Sequence, residues 1–165
     1  MINFKNLTIF LVLIGFLSVT HAVAMDDEAG SETPGIRSRT SCKNLKAIGK
    51  SYVTFLQKVG QSDTPVTEED GSSLFASQCT KKVNGKVLWT LSSDQPAQLN
   101  SVRKDAGKWT IETLQNIPSS EEGACTLLIK WKAKNLEKEH ITMKILFVDE
   151  MEKIYLIDEV YNECL

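Results

Sequence analysis

The alternation of apolar and polar residues is clearest over the last third of the chain, from residue 108 to residue 164. Four segments there, 109–119, 125–134, 140–149 and 153–162, are rich in Ile, Leu, Val, Thr, Trp and Tyr, and polar turn clusters separate them. This pattern predicts four successive antiparallel strands, around which the rest of the chain is organised.

The period of two also predicts which strand faces are buried. The second strand has one plainly apolar face, formed by Cys125, Leu127, Ile129, Trp131 and Ala133. We expect the third strand to continue this face with Ile141, Met143, Ile145 and Phe147. Leu128, Leu146 and Val148 would then lie on the outer face of the sheet, where exposed apolar residues favour a homodimer contact.

Helical periodicity precedes the strands. Apolar residues at helical spacing over 42–59 predict an amphipathic helix, with Ser41 as its N-cap and Gly60 as its C-terminal cap. Gly49 in its middle should cost about 1 kcal/mol relative to Ala, which a close approach to a neighbouring element would offset.

Three shorter elements complete the pattern. Residues 68–77 suggest a second helix, and Asn84-Gly85 between two short apolar runs predicts a hairpin over 79–90. A third helix is expected from Ser93 or Asp94 to about Gly107.

A phase slip in the apolar alternation of the first long strand predicts a β-bulge near Glu112 or Thr113. The fold class is therefore α+β, with a curved antiparallel or mixed six-stranded sheet wrapped around about three helices.

The first residues of the chain predict its cellular location. Lys5 precedes the apolar run 7–19, and Ala22-Val23-Ala24 fits a signal peptidase site, so residues 1–24 are interpreted as a signal peptide cleaved after Ala24. The run is shorter than the roughly 20 residues of a membrane-spanning helix. We expect a secreted or periplasmic protein with no membrane association after signal removal, a flexible leader over 25–40 and one domain over 41–165.

The net charge limits the classes of binding partner, and the cysteine count indicates disulfides. The chain has 19 Lys and Arg against 21 Asp and Glu, and this mildly acidic balance argues against a nucleic-acid partner. The four cysteines, Cys42, Cys79, Cys125 and Cys164, favour disulfides in an exported chain. Three pairings are open, and the sequence does not choose among them.

Three stretches carry a resemblance to a known family. Residues 74–89, 107–119 and 152–163 resemble the nuclear transport factor 2-like superfamily, most closely its SnoaL-like and ketosteroid-isomerase-like branches. The last stretch holds an I-x-x-I-x-E-x-Y phrase formed by Ile154, Ile157, Glu159 and Tyr161. The resemblance implies a cone-shaped, cystatin-like roll with a pocket between helices and sheet, and often a dimer through the outer sheet face.

The resemblance also directs attention to pocket residues. The candidates for ligand binding are Tyr52, Trp109, Trp131, Glu159 and Tyr161. In ketosteroid-isomerase-like enzymes a pocket carboxylate moves a proton, and burial of a carboxylate raises its pKa, which suits that role. No carboxylate matching theirs follows the second predicted helix. After signal removal His140 is the only histidine, so we expect neither a histidine-based catalytic centre nor a metal site, and no cofactor.

These observations favour an exported, non-catalytic domain that holds a small apolar or amphipathic ligand, or a protein partner, in a cone-shaped pocket. The alternative is a cofactor-independent isomerase, dehydratase or cyclase that uses a pocket carboxylate and a tyrosine. A cystatin-like protease inhibitor is a poorer fit, because the Gln-x-Val-x-Gly loop of cystatins is matched only approximately by residues 57–61, at a predicted helix end.

Overall fold

The structure is a computed structural model that describes residues 40–161. The predicted signal peptide, its cleavage site, the leader up to residue 39 and Cys164 lie outside the described residues. Over the described range, no helix is long and apolar enough to cross a membrane.

The described chain contains three α-helices, one 3₁₀ turn and six strands. In chain order they are α1 (Cys42–Gln61), α2 (Glu68–Gly71), β1 (Phe75–Val83), β2 (Lys86–Trp89), the 3₁₀ turn Ser92–Asp94, α3 (Gln95–Ala106), β3 (Trp109–Ser119), β4 (Ala124–Ala133), β5 (His140–Val148) and β6 (Ile154–Tyr161). The predicted α+β class with about three helices is confirmed.

All six strands form one mixed sheet in the order β2-β1-β6-β5-β4-β3. β1 and β6 are parallel, and the other neighbours are antiparallel. The register of β3 against β4 shifts between Thr113 and Gln115, which confirms the predicted bulge within one or two residues. Such bulges bend a sheet and let it curve around helices packed on one face.

Helix α1 begins as predicted, because the Ser41 hydroxyl accepts a hydrogen bond from the Asn44 amide at 3.2 Å. The predicted end at Gly60 is wrong, because the helix continues to Gln61 and Ser62 is its C-cap. Gly60 lies directly against the indole of Trp109, so the absence of a side chain serves packing there.

Gly49 marks the closest approach of α1 to the sheet. A Cβ atom built at this position would lie 2.7 Å from the Cys125 sulfur and 2.9 Å from the Asn116 side-chain nitrogen. Asn116 also donates a hydrogen bond to the Lys46 carbonyl at 3.0 Å. The expected close approach is confirmed, and it explains how a helix tolerates glycine at its centre.

The predicted second helix over 68–77 is too long. α2 stops at Gly71, and Phe75 already belongs to β1. Leu74 and Phe75 are both buried, with 9% and 5% of their surfaces exposed. The hairpin prediction is also confirmed, because Asn84 and Gly85 both have positive φ in the turn between β1 and β2.

The predicted faces of β5 are inverted. Leu146 pairs with Cys125 on the inner face, and Leu146 and Val148 are buried. The other face carries the residues that we expected inside, and these are exposed or half-buried: Ile141, Met143, Ile145 and Phe147. Leu146 and Val148 therefore cannot form an outer dimer contact. Leu128 does lie on the outer face, paired with Met143.

We predict that Gly49→Ala destabilises the fold by about 1–3 kcal/mol, because the added methyl overpacks the contact between α1 and β4. Urea denaturation measures the change. Ser51→Ala, on the exposed face of the same helix, is the control and should stay within about 0.5 kcal/mol. A Gly49→Ala protein more stable than the parent would contradict the close approach.

Candidate functional site

A cavity of about 70 Å³ lies between the helices and the inner face of the sheet, and it opens partly to solvent. Side chains from α1, α3 and all six strands line it. Its walls are largely aromatic and aliphatic, and three charged side chains, Lys81, Lys144 and Glu159, lie among them.

All five residues singled out from the sequence line this cavity: Tyr52, Trp109, Trp131, Glu159 and Tyr161. Their convergence follows from the register of the sheet. Lys144 and Thr142 on the inner face of β5 pair with Glu159 and Tyr161 on β6, so both β6 residues point inward. Their role in ligand binding stays a prediction.

Trp109 is held rigidly at one wall. Its indole N–H donates a hydrogen bond to the Leu56 carbonyl at 3.0 Å, and its ring covers Gly60 on the same helix. Only 5% of its surface is exposed. The partner for the indole N–H explains how so large a side chain is buried without an unsatisfied donor.

The polar centre of the cavity is a cluster of three buried charges. The Glu159 carboxylate lies 2.5 Å from the Lys144 ammonium and 2.9 Å from the Lys81 ammonium. The Glu159 side chain is fully buried, and 8% of each lysine side chain is exposed. We call Lys81, Glu159 and Lys144 the ion cluster. It joins the adjacent strands β1, β6 and β5.

The ion cluster reverses the expected pKa shift of the carboxylate. Burial raises the pKa of Glu159, but the positive charges of Lys144 and Lys81 outweigh burial and hold it well below its usual range. The prediction of a raised pKa is wrong for this residue. Burial lowers the pKa of Lys144 to about 8, and the opposing attraction of Glu159 compensates only in part.

The two tyrosines remain protonated. Burial, reinforced by the negative charge of Glu159, raises the pKa of Tyr52 and of Tyr161 well above the usual value. The ring of Tyr161 lies 5.9 Å from the Lys144 nitrogen, within the range of a cation–π contact. Both tyrosines can therefore offer neutral hydroxyl groups, but neither is prepared to act as a base.

Sequence reasoning missed the two lysines. Lys81 belongs to the first strand of the hairpin, where a lysine usually faces solvent, and nothing nearby in sequence signals burial. Lys144 was absent from the face of β5 that we expected to be buried, so its burial was not predicted. Gln98 of α3 was also missed. It accepts hydrogen bonds from Trp89 at 2.9 Å and from Lys81 at 3.4 Å.

Two of the three described cysteines, Cys79 and Cys125, are buried, and Cys42 is exposed. No disulfide joins Cys42, Cys79 and Cys125 to one another. Burial raises the pKa of Cys79 to about 12 and that of Cys125 to about 11, which keeps both as inert thiols. Over residues 40–161, no three His, Cys, Asp or Glu side chains come together as metal ligands.

We predict that Glu159→Gln destabilises the protein by about 3–5 kcal/mol, because it leaves two buried ammonium groups without a counter-charge. Chemical denaturation measures the loss. Glu112→Gln is the matched control, because Glu112 forms an ion pair of 2.7 Å with Lys130 at the surface and should change stability by about 0–1 kcal/mol. Equal effects of the two substitutions would contradict the buried cluster.

Known proteins resemble this chain in structure, but none was matched by sequence. No protein-family model matches the sequence, and no curated protein matches it. A SnoaL-like family protein from Agrobacterium tumefaciens superposes with a TM-score of 0.59 at 5% identity, over 73% of this chain and 98% of that one. A candidate ketosteroid isomerase from Kribbella flavida gives 0.58 at 11% identity, over 74% and 81%.

A third neighbour is an epoxide hydrolase from M. tuberculosis, described as LEH-like, with a TM-score of 0.56 at 9% identity over 73% of this chain and 84% of that one. Identities this low establish the fold and leave the chemistry open. The chain has the nuclear transport factor 2-like fold that its sequence resemblance implied, shared with SnoaL-like and ketosteroid-isomerase-like proteins.

Proposed function

We propose that this domain binds a small organic ligand in the cavity between its helices and sheet, without chemical turnover. The observation that carries the proposal is the cavity itself, which is partly open to solvent and walled by Trp, Tyr and aliphatic side chains. A concave apolar site with a few polar groups is the usual form of a small-molecule site. Epoxide hydrolase and candidate ketosteroid isomerase neighbours support the choice of ligand class.

The state of Glu159 supports binding over catalysis. A general base works best when its pKa lies near the operating pH. Two ammonium groups hold the pKa of Glu159 far below that range, so its carboxylate accepts protons poorly. Among the described residues that line the cavity, Glu159 is the only carboxylate.

We predict that small neutral probes such as phenol, cyclohexanone and 1-hexanol bind weakly at the cavity. NMR titration should then shift the indole signals of Trp109 and Trp131. Val102→Phe, which enlarges a side chain in the cavity wall, should weaken binding about tenfold, whereas Val87→Phe on the exposed face of β2 should not. Thermal melting confirms that both variants fold. Binding that survives Val102→Phe unchanged would place the site elsewhere.

The second candidate is a cofactor-independent isomerase, and one observation favours it. Burial lowers the pKa of Lys144 below that of a surface lysine, which makes its neutral amine form easier to reach. A neutral amine beside a cavity can remove a proton from carbon next to a carbonyl group. Lys144 would then replace the carboxylate that we expected to act as base.

Hydrogen–deuterium exchange separates the two candidates. For a binding domain, the protein should not accelerate exchange of cyclohexanone α-protons in D₂O, as NMR would show against a buffer blank. Acceleration that disappears in Lys144→Met and persists in the surface variant Lys132→Met would instead favour the isomerase type, because it would show that Lys144 removes a proton from carbon.

Export and dimerisation complete the proposal. The signal-like residues 1–24 support export to a secreted or periplasmic location. N-terminal sequencing of the mature protein tests whether cleavage occurs after Ala24.

The outer sheet face carries an apolar row that supports a homodimer there, formed by Leu128, Met143 and Val160. Sedimentation of Met143→Lys against the parent tests it, since a charge in a dimer contact would dissociate it.

A further inference from the structure

The ion cluster does not balance its own charge. Two ammonium groups, from Lys81 and Lys144, face the single carboxylate of Glu159, which leaves one positive charge. Neither lysine has another acidic partner within 4 Å among the described residues. A buried charge without a counter-ion is expensive, so a net positive cluster beside an open cavity favours occupation by an anion.

The two lysines also have more hydrogen-bond donors than they have acceptors nearby. Each ammonium group has three donors. Lys144 contacts Glu159 and the face of the Tyr161 ring, and Lys81 contacts Glu159 and, at the long distance of 3.4 Å, Gln98. Both lysines line the cavity, so their remaining donors are available to an occupant.

Size and wall chemistry restrict the occupant further. A closed apolar cavity of about 150 Å³ accommodates benzene, so the present cavity of about 70 Å³ holds an acid group and a few further atoms. Trp109, Trp131 and Ile129 offer apolar surface to the remainder of the molecule, which can extend toward the open side. The occupant is then amphipathic, with its charge at the inner end.

We propose that the cavity is specific for small organic monoanions, in which a carboxylate group neutralises the excess charge of the ion cluster and an apolar body contacts the tryptophans. This proposal rests on the proposed ligand-binding function and names its ligand class. A monoanion matches the single excess charge, whereas a dianion would exceed it.

The test compares acids with their neutral amides of nearly equal shape. Phenylacetate and phenylacetamide form one pair, and hexanoate and hexanamide form the other. Isothermal titration calorimetry and NMR titration of the purified protein at pH 7 should show at least about tenfold tighter binding of each acid, since a hydrogen bond to a charged group is stronger than one between neutral groups.

Two variants locate the preference. Lys144→Met and Lys81→Met each leave a one-to-one ion pair with Glu159, so either should reduce the acid-to-amide ratio to about one. Because the two variants are independent, the ratio can be read in whichever one keeps a cooperative thermal transition. Lys132→Met, with 68% of its side chain exposed, removes the same charge outside the cavity and should leave the ratio unchanged.

The outcomes separate this inference from the function on which it rests. Equal affinity for acids and amides overturns the anion preference while the ligand-binding proposal stands. An acid preference that survives both lysine substitutions, or that inorganic phosphate abolishes at equal concentration, also overturns it. If neither these pairs nor the neutral probes bind at the cavity, both proposals fail.

Discussion

The fully buried carboxylate of Glu159, held between Lys81 and Lys144, is the interaction on which the described structure depends most. It joins β1, β6 and β5, and it spans the one parallel pairing of the sheet. Removing two or three ions from water carries a large desolvation penalty, which only close mutual pairing offsets. The cluster therefore requires a register that brings all three side chains together, and it disfavours alternative pairings.

The core is densely packed on one side of the ion cluster and contains the cavity on the other. In the middle of α1, Gly49 lets the helix approach Cys125 so closely that a Cβ atom there would lie 2.7 Å from the sulfur. Toward the C-terminal end of the helix, the ring of Trp109 is fixed against Gly60, and the side chains of the ion cluster keep the space beside it polar. The cavity persists there because charged groups cannot be covered by apolar side chains without a cost.

Fold and chemistry separate clearly in this protein. The three neighbours described above share the fold at 5–11% identity, and the names of all three indicate enzymes. In this chain, the only described carboxylate lining the cavity is neutralised by lysine. The fold supplies a cavity, and the charges of the side chains that line it set the chemistry available there.

Local signals in the sequence determined most of the elements, among them the Ser41 cap, the Asn84-Gly85 turn and the bulge in β3, whereas the family resemblance pointed to the aromatic candidates for the cavity wall. The local signals depend on nearby residues, so a single chain displays them. The face of β5 was decided only by tertiary structure, because apolar residues occupy both of its faces. Lys144 lies on the inner face because it pairs with Glu159 of the neighbouring strand β6. Glu159 comes fifteen positions later, and no local pattern encodes a partner so distant along the chain.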